Sequence, residues 1–293
     1  MNAYNVIAQF DHIVDTPEAI ARLRHFILEL AVRGKLVDRD PADEPVSQLL
    51  KRVSEEKQNR LPREVVKKLK SFPQIQRHET SFDVPETWRW VRLGAITHVV
   101  MGQSPPGETY NKDGEGVPLI NGPVEFTEGP FGKTVVNQYT TAPTNFCEEG
   151  DLLICVRGST TGRTNVAGFR ACIGRGVAAI RSFFPDGYVR LFIWRQRASI
   201  IAMGRGIAFP SVSRQQIEEL PVPLPPMKEQ QRIVKKVEEL MVLCDQMETS
   251  LLVTQEQKRI LLKSVLYHAL GDKDTREDES RQIRNPRQQI GIA

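Results

Sequence analysis

The sequence lacks most of the residue patterns that mark a catalytic, metal-binding or membrane protein. It holds four cysteines without a CxxC pair and five histidines, and no two histidines lie four residues apart, so no metal site is predicted. No Ser-His-Asp set stands out, so no catalytic residue is assigned. No apolar segment is long enough to span a bilayer, so no membrane partner is expected. These absences favour a binding protein over an enzyme.

The amino terminus also lacks the pattern of a secretory signal. It reads MNAYNVIAQFDHIVD, in which no basic start is followed by an apolar run. We therefore expect a cytoplasmic protein whose thiols are reduced and mostly buried.

Two motifs suggest enzymes, but both are incomplete. The segment GPFGKT at Gly129–Thr134 has the end of a phosphate loop, but Thr127 stands where its first glycine is needed. The segment QSPPGETY is similar to an amino-methyltransferase motif, but Gly107 replaces the stacking aromatic residue. We therefore predict no cofactor for this chain. Of the three functions that the sequence allows, an enzyme with a degenerate phosphate loop ranks last.

The positive charge is concentrated in one segment. The whole chain has a net charge of only +4, yet residues 151–216 contain ten arginines, no lysine or glutamate, and only Asp151 and Asp186. This local excess suits phosphate or another polyanion. A solvated basic face is the alternative, although exclusive use of arginine fits bidentate contacts better.

The region between Trp88 and Pro221 is predicted to be an α+β domain. Its short apolar runs VPLI, DLLICV and VAAI are bounded by turn residues, which is typical of strands. The segment YVRLFIWRQRASIIAM is long and periodic enough for a helix.

Glycine-flanked loops in this domain carry the candidate binding residues. Arg157 and Arg163 stand six residues apart with hydroxyl side chains between them, and Arg175 and Arg205 each lie between two glycines. Guanidinium groups in such loops can reach phosphates or guanine edges. Two further loop residues, Asn121 and Lys112, have side chains that can read adenine or contact phosphate. A solvated turn is the alternative for each loop alone. The predicted nucleic-acid contacts are Arg157, Ser159, Thr160, Arg163, Arg175, Arg205, Lys112 and Asn121.

A long helix is predicted after the proline-rich run that ends at Pro226. No Pro or Gly occurs from Met227 to Leu270, which allows a helix of roughly 40 residues and ~60 Å. Apolar residues recur at alternating four- and three-residue steps, interrupted by Thr254 and Lys258, and this spacing is that of a coiled-coil seam. We therefore expect a partner helix. The predicted contact residues are Ile233, Val237, Leu240, Cys244, Met247, Leu251, Leu261 and Val265.

Two shorter amphipathic helices precede the domain. Thr16 and Pro17 start the first helix and Gly34 ends it. The second is built on Val46, Leu49, Leu50 and Val53.

Two long stretches resemble a known family. FPSVSRQQIEELPVPLPPMKEQQRIVKKVEELMVLCDQME and RLRHFILELAVRGKLVDRDPADEPVSQLLKRVSEEK are similar to conserved regions of type I restriction-modification specificity subunits. The resemblance implies a non-catalytic subunit that recognises double-stranded DNA. It also implies methyltransferase subunits and, through the complex, a restriction/translocase subunit as partners, which carry S-adenosylmethionine and ATP respectively.

The resemblance also sets the expected organisation. We predict a conserved helical segment at 1–58, a linker at 59–83, a target recognition domain at 84–222, a long coiled-coil spacer and dimerisation helix at 223–270, and a disordered tail at 271–293. A full-length family member has two recognition domains, whereas this chain resembles the amino-terminal half. A homodimer would read an interrupted palindrome. The alternative is a truncated coiled-coil adaptor without specific DNA binding.

Overall fold

The chain has an α+β fold, as the sequence predicts. A computed structural model describes residues 16–67, 72–129, 131–185, 187–204 and 211–283. Within these residues the helices are α1 (Pro17–Val32), α2 (Val46–Arg60), α3 (Arg63–Lys67), α4 (Leu93–Ile96), α5 (Gly187–Arg195), α6 (Arg197–Met203), α7 (Arg214–Glu218) and α8 (Met227–Ile283).

The described strands form three small sheets. A four-stranded sheet has the order β2-β10-β7-β8, a five-stranded sheet has the order β3-β5-β4-β9-β6, and β1 pairs with β11 alone. The strands are β1 (Arg89–Arg92), β2 (Thr97–Met101), β3 (Tyr110–Asn111), β4 (Val117–Ile120), β5 (Tyr139–Thr140), β6 (Phe146–Cys147), β7 (Leu152–Cys155), β8 (Thr164–Val166), β9 (Ala171–Ile173), β10 (Val177–Ser182) and β11 (Pro221–Leu224).

The local signals in the sequence are confirmed at several of these elements. VPLI, DLLICV and VAAI contain β4, β7 and the start of β10. The hydroxyl of Thr16 accepts a hydrogen bond from the Ala19 amide at 3.2 Å, so Thr16 caps α1. Gly34 has a φ of 64°, which is a left-handed conformation that favours glycine after a helix. The predicted helix after β10 is divided into α5 and α6.

The central strand β7 is buried on both faces. Leu152 and Ile154 belong to one apolar cluster, and Leu153 and Cys155 belong to another. Side chains of a strand alternate between its two faces, so a strand that separates two cores must be apolar throughout. The continuous run in DLLICV meets this requirement.

The proline-rich run before α8 is extended, as predicted. It forms β11, which pairs antiparallel with β1, and Val91 lies opposite Val222. Proline cannot donate to a strand ladder, so a two-stranded edge suits this sequence. The helix α8 then begins at Met227 and continues to Ile283, thirteen residues past the predicted end at Leu270.

The chain divides into two compact units. One comprises residues 25–240, and the other comprises residues 1–24 and 241–293. Within the second unit, Arg24 of α1 forms ion pairs with Asp245 and Glu248 of α8, each at 2.6 Å. The predicted domain bounds remain a prediction.

Part of the predicted linker is anchored to the larger unit. Both carboxylate oxygens of Glu79 accept hydrogen bonds from the buried guanidinium of Arg92, each at 2.8 Å. The pairing with Arg92 and the hydrogen bond from the Gln76 amide lower the pKa of Glu79 to about 2. Arg92 also donates to the Glu219 carbonyl at 2.7 Å. The guanidinium thus joins this segment to the end of α7.

Lys57 connects α2 to the end of α4 and the start of β2. Its ammonium is buried and donates to the carbonyls of Gly94 at 2.6 Å and Thr97 at 3.0 Å. Burial lowers the pKa of Lys57 to about 8, so the group remains mostly protonated at pH 7. It satisfies carbonyls at the end of α4 that would otherwise be buried without a donor.

Replacing this ammonium should destabilise the larger unit. We expect Lys57→Met to lower the free energy of unfolding by about 2–3 kcal/mol, because charged donors contribute strongly and buried carbonyls lose their partner. Urea denaturation measures the change. Lys51→Met, at an exposed position of the same helix, is the matched control. An equal loss in both variants would contradict the connecting role.

Candidate functional site

Loops from distant parts of the chain meet in one open cleft of about 760 Å³. They follow β2, β4, β7 and β9, and they belong to the larger unit. The side chains that line it include Ser104, Tyr110, Asn121, Arg157 and Arg175.

Strand pairing explains why these loops converge. β4 and β9 run parallel with Ile120 opposite Ile173, so the next residues, Asn121 and Gly174, are neighbours. The Gly174 amide donates to the Ile120 carbonyl at 2.9 Å. β7 and β10 are antiparallel, and Cys155 at the end of β7 lies opposite Val177 at the start of β10. Because the loop of Arg175 ends just before Val177, the loop that follows β7 lies beside it.

Hydrogen bonds fix the backbone around the two cleft arginines. The Val156 amide donates to the Gly176 carbonyl at 2.8 Å, which sets Arg157 beside the loop of Arg175. The amide of Arg175 donates to the Ser104 hydroxyl at 3.2 Å. Gly158 has a φ of 77°, so the chain can turn sharply just after Arg157.

Among the described residues of the 151–216 segment, five arginines are already paired with carboxylates. Neutralisation within the chain reduces the local charge excess that the sequence indicates. The pairs are Arg163 with Glu128 at 3.2 Å, Arg170 with Glu148 at 3.3 Å, Arg181 with Asp151 at 2.8 Å, Arg195 with Glu29, and Arg214 with Glu218 at 2.7 Å.

The two cleft arginines differ from this group. Arg157 and Arg175 are both exposed. Among the residues that the structure describes, neither guanidinium has a carboxylate oxygen within 4.0 Å. Two cations that share an open cleft without an internal counter-charge can bind an external anion.

The other predicted contact residues are distributed differently. Lys112 is exposed just after β3, and Ser159 is exposed in the loop after Arg157. Thr160 is half-buried, and its side chain is hydrogen-bonded to Cys155. Arg163 lines a second cavity, of about 480 Å³, with Trp194 and Arg197. Arg205 lies outside the described residues.

Sequence reasoning missed two residues that shape the cleft. The Ser104 hydroxyl accepts a hydrogen bond from the Arg175 amide and so holds the Arg175 loop. The sequence indicated only an incomplete methyltransferase motif at this position. Glu125 is 1% exposed, and its carboxylate accepts from the amides of Asn121 and Gly122, each at 3.3 Å. The spacing Asn-Gly-Pro-Val-Glu is a capping signal that points to this carboxylate.

The predicted partner residues on α8 fall into two groups. Ile233, Val237 and Cys244 are buried within the chain, and Leu240, Met247 and Leu251 are half-buried. Leu261 and Val265 are 65% and 55% exposed. The carboxy-terminal part of the set therefore leaves the greater apolar surface exposed.

The incomplete phosphate loop does not start a helix. Lys133 forms an isolated bridge with Val166, and the buried Thr134 hydroxyl accepts from the Gly168 amide at 3.0 Å. In the described part of the chain, no group of three His, Cys, Asp or Glu side chains could hold a metal ion. Burial raises the pKa of Cys147 and of Cys155 to about 11, so neither is a thiolate nucleophile at neutral pH.

No helix in the described ranges has the length and apolar character required to cross a membrane.

Comparison with known proteins places the chain in a family. The family model for the type I restriction modification DNA specificity domain matches residues 85–254, which is more than half of the chain. The EcoAI type I restriction enzyme specificity subunit of Escherichia coli is 30% identical over 264 residues, covering 84% of this chain and 44% of that protein.

Solved structures agree with this match. A chain from a structure of a type I R-M system superposes with a TM-score of 0.55 at 26% identity, covering 87% of this chain and 56% of that one. The HsdS subunit from Thermoanaerobacter tengcongensis shares the fold, with a TM-score of 0.51 at 24% identity over 85% of this chain and 52% of that one. The chain spans about half the length of these relatives.

An α+β domain followed by a long helix, with a matching sequence across both, defines the class of protein. The chain belongs to the family of type I restriction modification DNA specificity domains.

Proposed function

We propose that this chain is a non-catalytic DNA sequence-recognition subunit of a type I restriction-modification complex. Its recognition domain binds one half-site of double-stranded DNA through the arginine cleft. The family match supports this class of function. The assignment of DNA binding to the cleft is supported by one observation, which is that Arg157 and Arg175 line it without a carboxylate partner among the described residues.

The chemistry of the cleft suits a nucleic acid. A guanidinium can donate two parallel hydrogen bonds to a phosphate or to the O6 and N7 acceptors of guanine. The cleft also offers the Asn121 amide, and Ser159 and Lys112 are exposed on neighbouring loops. Phosphate contacts supply affinity and orientation, whereas side chains that reach base edges supply sequence preference.

The helix α8 supports a role in assembly. The two triplets Ile260–Leu262 and Val265–Tyr267 consist of exposed apolar residues, between 49% and 79% accessible. Three consecutive helical residues span about 200° of the circumference, so these side chains occupy more than one face. A helix that is apolar on several faces needs partners. A second copy and a methyltransferase subunit are the partners we propose.

The proposed assembly assigns the chemistry to other subunits. Methyltransferase subunits bind S-adenosylmethionine and the restriction/translocase subunit uses ATP, so this chain needs no cofactor of its own. Two identical recognition domains in a homodimer would read an interrupted palindrome in cytoplasmic DNA.

Selection from a randomised duplex pool tests the proposal. The full chain, alone and with its methyltransferase subunit, is incubated with the pool at two salt concentrations, and the bound duplexes are sequenced. We expect one enriched sequence, with affinity that falls steeply with salt. If the chain retains the methyltransferase subunit but enriches no sequence, the result would instead support the alternative function. That alternative is a coiled-coil adaptor that binds partners through its exposed helix and does not bind DNA specifically.

The ion pair between Glu128 and Arg163 offers a separate test of the charge argument. Glu128 is almost fully exposed, so this pair is weak and easily exchanged for a DNA phosphate. We expect Glu128→Gln to raise DNA affinity about two- to fivefold at low salt, and the gain should disappear at high salt. Fluorescence anisotropy with a labelled duplex measures the change.

The control for this variant removes an equivalent charge elsewhere. Glu149→Gln alters another exposed carboxylate, and it should have less effect. The gain from Glu128→Gln should also vanish when Arg163 is replaced by alanine. Equal gains at both glutamates would assign the effect to net charge and remove Arg163 from the interface.

A further inference from the structure

Resting on the proposed function, we infer that Asn121 is a specificity-determining residue that reads an adenine in the major groove, and that Glu125 is the positioning residue that holds it.

The side-chain amide of Asn121 is available to bind a ligand. It lines the same cleft as Arg157 and Arg175. Among the described residues its side chain has no hydrogen-bond partner, whereas the amides of Asn111 and Asn145 each donate to a main-chain carbonyl. An amide presents a donor and an acceptor side by side. This pair complements the N6 amino group and N7 of adenine.

The backbone that carries Asn121 is held from behind. The buried carboxylate of Glu125 accepts from the main-chain amides of Asn121 and Gly122, each at 3.3 Å. Gln138 donates to the other carboxylate oxygen at 3.5 Å. The short 3₁₀ helix Pro123–Glu125 sets this spacing. A side chain must be fixed in this way if it is to distinguish one base from another.

A glycine makes room for the amide. A Cβ atom on Gly174 would lie 1.9 Å from Oδ1 of Asn121 and 3.0 Å from its Cγ. Gly174 does not have a positive φ, so its backbone accepts alanine. Gly174→Ala should therefore rotate the Asn121 amide out of its position while the residue itself remains in the chain.

The test uses the duplex that selection from the random pool yields. Each adenine of the half-site is replaced in turn by 7-deazaadenine, which lacks N7 but keeps the pairing edge. We expect the wild-type chain to lose about 10- to 100-fold in affinity at one adenine. Asn121→Ala should show the same loss on the unmodified duplex and little further loss on the modified one. This coupling between one side chain and one ring nitrogen identifies the contact.

Two further variants test the positioning. Gly174→Ala and Glu125→Gln should lose discrimination at that same adenine, while their affinity for unrelated duplex stays within about twofold of wild type. Asn137→Ala, which removes an exposed asparagine outside the cleft, should behave like wild type. A role of Glu125 in stability alone would lower affinity for every duplex equally.

The outcomes separate this inference from the function on which it rests. If the wild-type chain selects no sequence, the proposed function fails. If it selects a sequence but Asn121→Ala still discriminates at every adenine, the function stands and the inference is overturned. A uniform loss for all duplexes in Asn121→Ala would also overturn it, since it would indicate a phosphate contact.

Discussion

Replacing both Arg157 and Arg175 by alanine should lower the affinity for the selected duplex between about 30-fold and about 20,000-fold. Each arginine that makes a bidentate contact contributes about 1–3 kcal/mol, and a tenfold change in affinity corresponds to about 1.4 kcal/mol. The loss should be large because no described carboxylate lies beside either guanidinium, so both groups are available for DNA.

The double variant should still fold. Both side chains are exposed, and the hydrogen bonds that fix their loops come from main-chain amides. The thermal midpoint should therefore stay close to that of the wild-type chain. Arg170→Ala is the matched control, because Arg170 lies in the same arginine-rich segment but pairs with Glu148 and stacks on Phe146 at 3.8 Å.

The salt dependence of each single variant separates phosphate contacts from base contacts. Loss of a phosphate contact reduces the slope of log affinity against log salt by about 0.9. Loss of a guanine contact leaves the slope unchanged and relaxes preference at one position. Arg163→Ala should have a smaller effect, because Arg163 already has a carboxylate partner. Unchanged affinity in the Arg157 and Arg175 variants would show that the cleft does not bind DNA.

The second large effect concerns the exposed helix. Replacing Leu261 and Val265 by aspartate should abolish self-association at micromolar concentration, because each copy would bury two unpaired carboxylates in the seam. Both side chains are more than half exposed within one chain, so the fold of the single copy should survive. Sedimentation velocity measures the mass.

Lys263→Asp is the control for this variant. It changes the net charge by the same amount, at an exposed position that a heptad with Leu261 and Val265 places on the opposite side of the helix. This variant should remain a dimer. Dissociation in both variants would point to charge repulsion, and a dimer in both would mean that the helix pairs through other residues.

Local structure was largely predictable from the sequence. Thr16, Pro17 and Gly34 act through their own backbone and immediate neighbours, so the first helix can be read directly. The apolar run in DLLICV predicts a buried strand because every side chain on both faces must be apolar. The end of the long helix was harder, since the polar residues after Leu270 have no apolar face to mark a helix.

The cleft was predictable in part. Arg157, Arg175 and Asn121 were identified from glycine-flanked loops, but nothing local shows that three such loops meet. Their convergence depends on the register of β4 with β9 and of β7 with β10, which is set by long-range pairing. The neutralisation of Arg195 by Glu29 joins residues far apart in the chain. For this reason a count of arginines overstates the free charge.

The mass of the complex formed on one selected duplex tests the central claim most directly. The full chain is mixed with a duplex that carries the selected sequence, and light scattering gives the number of protein copies for each DNA molecule. Two copies on an inverted, interrupted repeat are the predicted result, and the Leu261→Asp and Val265→Asp double variant should bind as a single copy with lower affinity. Absence of any complex, or one copy on an asymmetric sequence, would contradict the reading of this chain as a dimeric half-subunit that recognises DNA.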